Sequence, residues 1–177
     1  MKLELLRSDL VGGKYAAKFV SMYGEANVQA QTARYLAAVD AFADIYGADR
    51  DVELFSVAGR TEISGNHTDH NHGCVLAASI DLDIIAIVAK NEDGIVHVKS
   101  SGYNMDTVDL SDLEPAAYRK SALMVAGVCD ALKARGYNVG GFDAYTTSNA
   151  FKASGLSSFS AFEDMIGNIE NHLYNNG

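Results

Sequence analysis

Residues 52–102 read VELFSVAGRTEISGNHTDHNHGCVLAASIDLDIIAIVAKNEDGIVHVKSSG. VELFSVAG (52–59) has the make-up of a strand that ends on a glycine. CVLAASI (74–80), LDIIAIVAK (82–90) and GIVHVKSSG (94–102) follow as further strands, rich in Val and Ile. The turn NEDG (91–94) predicts an antiparallel meander with one hairpin across it. Between the first two runs lies the polar turn SGNHTDHNHG (64–73), which crowds His67, Asp69, His70 and His72 together.

Helical patterns flank this block. NVQAQTARYLAAVDAFADIY (27–46) places Ala33, Leu36, Ala37, Ala41 and Ile45 at helical spacing, and Gly47 stops the run. SDLEPAAYRKSALMVAGVCDALKARG (111–136) predicts a second helix. Pro115 falls in its first turn, and Gly136 ends it after Lys133 and Arg135. GFDAYTTSN (141–149) alternates like a strand, KASGLSSFS (152–160) is a loop of small residues, and AFEDMIGNIENHLY (161–174) is a third helix. No internal repeat or low-complexity linker interrupts the order. Helix, meander, helix, strand and helix make an α+β or mixed α/β sandwich rather than a doubly wound parallel sheet.

A chain of 177 residues is long enough for one well-buried domain and short for two. The net charge is −9 with no basic cluster, which argues against nucleic acid or an acidic membrane as partner. The longest apolar stretch is broken by Asp81 and Asp83 and is too short to cross a bilayer. MKLELLRSDLVGGKYAAKF, at the start, has no apolar run of the kind that drives secretion. Cys74 and Cys129 stand in apolar segments that suit buried free thiols in a reducing, cytoplasmic setting.

The histidine turn admits three readings: a metal site, a polar turn, or part of a substrate pocket. His67 and His72 are five apart and His70 and His72 two apart, on a turn rather than a helix face. Zinc sites more often take ligands at helical spacing or a hairpin pair with thiols, and no second cluster stands ready to complete the shell. A wider pattern favours the pocket. GRTEISGNHTDHNHGCVLAASI (59–80) resembles the galactokinase signature, G-R-x-N/E-x-x-G-E-H-T-D-Y-N-x-G-x-V-L. Gly59, Arg60, Glu62, Gly65, His67, Thr68, Asp69, Asn71, Gly73, Val75 and Leu76 match it. Downstream, SGLSSFSAFE (154–163) is similar to the phosphate loop of the GHMP kinase superfamily, G-x-G-L-S-S-S-A. The first motif marks the sugar branch and the second is common to the superfamily.

The resemblance implies the N-terminal domain fold of GHMP kinases, a two-layer α/β sandwich with a mixed sheet backed by helices. One such domain would span 1–177, with the galactose signature at about 52–80 and the phosphate loop at about 152–160. It implies galactose and ATP as ligands and Mg²⁺ as cofactor. His67 and Asp69 would contact the sugar, with Asn66 and Thr68 beside them. Acceptors and amphoteric imidazoles suit a ring of hydroxyls. Asn66 replaces the usual Glu and His70 the usual Tyr, while Glu62, His72 and Cys74 read as scaffold. Arg60 would stabilise charge near the reaction centre. Ala153, Ser154, Gly155, Leu156, Ser157 and Ser158 would cradle phosphate at a helix start, where Ser157 or Ser158 could also cap the helix.

This sequence departs from the family at two points. Phe159 occupies the place of the serine whose hydroxyl ligates Mg²⁺, and a phenyl ring offers no hard oxygen. Ser160 is the nearest replacement, about a hundred degrees round a helix. The family is also roughly twice as long, and its catalytic aspartate lies beyond the phosphate loop. Asp164 matches no family base. The chain therefore looks like the N-terminal half of a galactokinase, expected to turn over little alone. The apolar face left for the rest would favour self-association or a partner. A non-catalytic sugar sensor and a His-rich metal-binding domain are the other readings.

Overall fold

The computed structural model describes residues 1–65, 68, 71–118, 120–149 and 158–177, with side chains of the last span from Ser160 onward. Three helices come first: α1 (Leu3–Val11), α2 (Ala16–Tyr23) and α3 (Val28–Tyr46). Strands β1 (Glu53–Ser64), β2 (Leu76–Lys90), β3 (Ile95–Ser100) and β4 (Met105–Asp109) follow, then α4 (Ser121–Ala134), β5 (Phe142–Ser148) and α5 (Ser158–Tyr174). The sheet is mixed, in the order β1-β2-β5-β3-β4, with β3 and β5 parallel and the other pairs antiparallel.

A mixed sheet packed against flanking helices is the arrangement expected of the sequence. Ile84, Ala86 and Val88 of β2 point to one face and pack with Phe142, Val96 and Val108 against α4 (Val125, Cys129) and α5 (Met165, Ile166, Ile169). Ile85, Ile87 and Ala89 point the other way, onto Leu6 and Leu10 of α1 and Tyr35, Val39 and Phe42 of α3. A strand covered on both faces needs apolar residues at every position rather than at alternate ones. That is why IIAIVA has no polar member.

Several boundaries differ from the sequence reading. The meander hairpin across NEDG does not form, because β5 lies between β2 and β3. The turn still reverses the chain, with Gly94 at φ 73° and the Asp93 carboxylate accepting the Ile95 N–H at 2.9 Å. It opens a gap of two strand spacings, about 10 Å, which β5 fills. The runs 74–80 and 82–90 are one strand, with an irregularity where Ala58 faces Asp83 and Arg60 faces Ser79. The helix over 111–136 begins only at Ser121, and Pro115 opens a separate 3-10 turn, Pro115–Ala117. Asp109 and Asp112 accept the backbone N–H groups of Ser111 and Glu114 at 2.8 and 3.3 Å. Such local side-chain bonds compete with the helix. The remaining cysteine expectation holds for Cys129, which is buried, and fails for Cys74, which is exposed because its part of the chain lies outside the core.

Candidate functional site

Beyond Asp83 the sheet narrows to a two-stranded ribbon. Arg60, Thr61, Glu62 and Ser64 of β1 pair with Ser79, Ala78, Ala77 and Leu76 of β2. Ile63 and Leu76 are exposed there. The turn that joins the strands is the histidine-rich segment. Its described parts are tightly folded. The Thr68 hydroxyl donates to the Gly65 carbonyl at 2.8 Å, and the Thr68 carbonyl accepts the N–H groups of Asn71 (3.0 Å) and Gly73 (2.8 Å).

Two glycines are required by this packing. A Cβ on Gly73 would fall 2.1 Å from Thr68 Oγ1, and one on Gly65, at φ 120°, would fall 2.6 Å from the Cys74 carbonyl oxygen. Arg60 is half-buried on the ribbon, and Asn71, His72 and Cys74 are exposed beside the turn. Asn66, His67, Asp69 and His70 lie outside the described residues, as do Ala153, Ser154, Gly155, Leu156 and Ser157. Ser158 is the first residue of α5, and Ser160, half-buried, lies in its first turn. The side chain of Phe159 lies outside the description. Asp164, on α5, is exposed.

The topology brings the described ribbon of β1 and β2 and the start of α5 toward one end of the sheet. Near the far end of α5, the His172 ring meets Phe55 edge-on at 5.5 Å, and its Nε2 is 3.9 Å from Glu53. Going back fourteen residues along a helix covers about 21 Å, or roughly six residues of strand. For a helix running back along β1, that length reaches about as far as Arg60. β5 ends short of Arg60, beside Val57 and Ala58: Ser148 pairs with Ile84, and the Asn149 N–H donates to the Asp83 carbonyl at 3.2 Å. A helix start in general offers amides without an intrahelical partner and a positive dipole end, which suit an anion.

Behind this end is a buried polar cluster that the sequence reading did not assign. Asp83 accepts hydrogen bonds from Arg34 (2.6 Å), Ser56 (2.6 Å) and the Tyr23 hydroxyl, which also shares a 2.7 Å bond with Tyr35. Burial first, and then the neighbouring carboxylate, drives the Tyr23 phenol far above its usual range. Burial likewise raises that of Tyr35. The available signal was a lone Asp inside an otherwise apolar run. A cavity of about 420 Å³ opens elsewhere, between α1, α2 and the first half of β1. Among the described residues no three His, Cys, Asp or Glu side chains are grouped to hold a metal ion, and no helix is long and apolar enough to cross a membrane.

Comparison with known proteins gives this end of the molecule a context. Residues 40–90 match the model of the galactokinase galactose-binding signature. Galactokinase from Streptomyces coelicolor is 31% identical over 135 residues, covering 75% of this chain and 35% of that protein. The chain thus spans about a third of the length of such relatives. The crystal structure of Lactococcus lactis galactokinase complexed with galactose superposes with a TM-score of 0.71 at 30% identity, over 80% of this chain and 38% of that one. Methanococcus jannaschii mevalonate kinase shares the fold, with a TM-score of 0.59 at 12% identity over 72% of this chain and 42% of that one.

Proposed function

We infer, from a chain that matches galactokinase homologues of the GHMP kinase superfamily in both sequence and structure, that its sugar-kinase-like role is the ATP-dependent phosphorylation of galactose to galactose 1-phosphate. The reaction is proposed for the whole protein, since this chain spans about a third of the length of such relatives. The observation that supports the reading is the arrival of the signature ribbon and the start of α5 at one end of the sheet.

Phosphoryl transfer needs in-line placement of one hydroxyl and neutralisation of the phosphate charge, with little covalent work by the protein. Asn66, His67, Thr68 and Asp69 hold the sugar hydroxyls. Arg60, from the ribbon, faces the charge that builds on the transferring group. Residues 153–158 and the first amides of α5 receive the phosphates. Ser160, in the first turn of α5, is the hydroxyl offered to Mg²⁺, which when bound neutralises phosphate charge. A galactose sensor that binds sugar and acts through a partner is the second reading. Phe159 in the ligand position favours it, as do the exposed Ile63 and Leu76 on the ribbon.

Calorimetry with galactose and with Mg·ATP, alongside assay for galactose 1-phosphate, tests the proposal. Galactose binding supports both readings, and product formation separates the kinase from the sensor. Zinc uptake with no response to either ligand would overturn both.

A further inference from the structure

At the base of the ribbon, the β1–β2 ladder takes four steps along β2, from Asp83 to Ser79, against two along β1, from Ala58 to Arg60. An exposed two-stranded ribbon has little to fix its register, and a slip of one residue turns every side chain to the other face. Something at the base must hold the offset.

Asp83 is placed to do so. Its carboxylate takes bonds from Ser56 of β1 at 2.6 Å, Arg34 of α3 at 2.6 Å and Tyr23 of α2. Its backbone closes a ring with Asn149: the Asp83 N–H donates to Asn149 Oδ1 at 2.7 Å, and the Asn149 N–H donates to the Asp83 carbonyl at 3.2 Å. Arg34 Nη2 adds bonds to the carbonyls of Asp83 and Thr147, each 3.1 Å. One residue thereby ties β1, β2, the end of β5 and two helices together. The side chains are 3% exposed for Asp83 and 15% for Arg34, so the carboxylate depends on these partners rather than on water.

We propose that Asp83, with Arg34 and Asn149, is a positioning group for the kinase site, fixing the register of the ribbon and with it the placement of Arg60 just beyond the end of β5. The inference rests on the sugar kinase reading for its purpose but not for its geometry. A displacement of about 1 Å at a reacting centre costs on the order of a hundredfold in rate. A ribbon tied at its base transmits a shift there toward Arg60.

Amide hydrogen exchange on the ligand-free chain, at a temperature where circular dichroism shows it folded, tests the clamp. In Asp83→Asn, exchange at residues 59–63 rises about tenfold while residues 84–88 stay protected, since local opening is independent of the core. Asn149→Ala, which removes no buried charge, gives the same pattern at about threefold and carries the test if Asp83→Asn does not fold. Arg34→Lys, retaining the cation, restores most of the protection lost in Arg34→Ala. A merely structural role would instead loosen 59–63 and 84–88 together. That outcome, or unchanged exchange at 59–63, overturns the proposal. Galactose binding is read separately: its affinity falls about tenfold in Asp83→Asn if the wild type binds sugar. A wild type that binds neither galactose nor nucleotide sinks the kinase reading and leaves the exchange result to decide the clamp.

Discussion

The two halves of β2 live in different surroundings. From Asp83 to Ala89 every residue is buried, Ile84 to Val88 are paired on both sides, and helices cover both faces. From Leu76 to Leu82 none is, and among the described residues β1 is the only strand beside it. The first half of the strand carries the candidate chemistry and the second carries the stability. The ribbon can therefore accept His, Asp and Asn at its turn because little core depends on it, while the buried half of β2 holds its one carboxylate, Asp83, where Arg34 meets it.

The sharpest way to break this contrast is a pair of truncations. Ile87→Ala, in the doubly covered half, should cost about 2–5 kcal/mol in urea unfolding, whereas Ile63→Ala on the ribbon should stay within about 0.5 kcal/mol. Equal losses would dissolve the distinction. Next comes a titration confined to the core half. Glu170 is fully buried on α5, accepts the Gly140 N–H at 3.0 Å and a weaker bond from Cys129 at 3.6 Å, and burial pushes its carboxyl up to about 7. The folded state holds this proton more tightly than the unfolded chain does. Stability is therefore full below about pH 4.5 and falls as pH rises toward 7, by on the order of 3 kcal/mol from this group. Urea midpoints measured between pH 5 and 8 should show the slope, and Glu170→Gln should flatten it.

Smaller effects probe the ribbon. Gly73→Ala drives a methyl into Thr68, and about 1–2 kcal/mol of local stability should be lost. Calorimetry should show galactose affinity weakened while the core remains folded. Last, Phe159→Ser should raise Mg·ATP affinity about tenfold by restoring a hard oxygen donor. Titration with the nucleotide checks it, and no gain would place the magnesium ligand elsewhere.

Local patterns revealed those parts of the fold that local forces determine. α3, the start of β1, β5 and α5 stand where apolar spacing puts them, because each buries a regular face. β5 between β2 and β3 was not legible, since its neighbours are decided by a parallel pairing across more than forty residues, and a turn such as NEDG has the same composition whether or not its strands touch. α1 and α2 also escaped, being short helices that owe their place to Phe19, Leu6 and Leu10 packing on α3 and β2. For the candidate site the balance is reversed. Family resemblance pointed to Arg60, His67, Asp69 and the loop near residue 155 without any geometry. The Arg34–Asp83–Asn149 cluster has no motif, because its three members come from separate elements and meet only in the folded chain.

The contrast between the two thiols has a practical corollary. Cys129 is sealed in the core beside Glu170, and its burial holds the sulfur protonated well above the ordinary thiol range; Cys74 stands in the open next to the ribbon turn. Alkylating reagents need both access and thiolate, so a maleimide dye will attach at Cys74 and leave Cys129 untouched. The native chain thus carries a single-site fluorescent reporter a few residues from the proposed sugar contacts, with no engineered cysteine required.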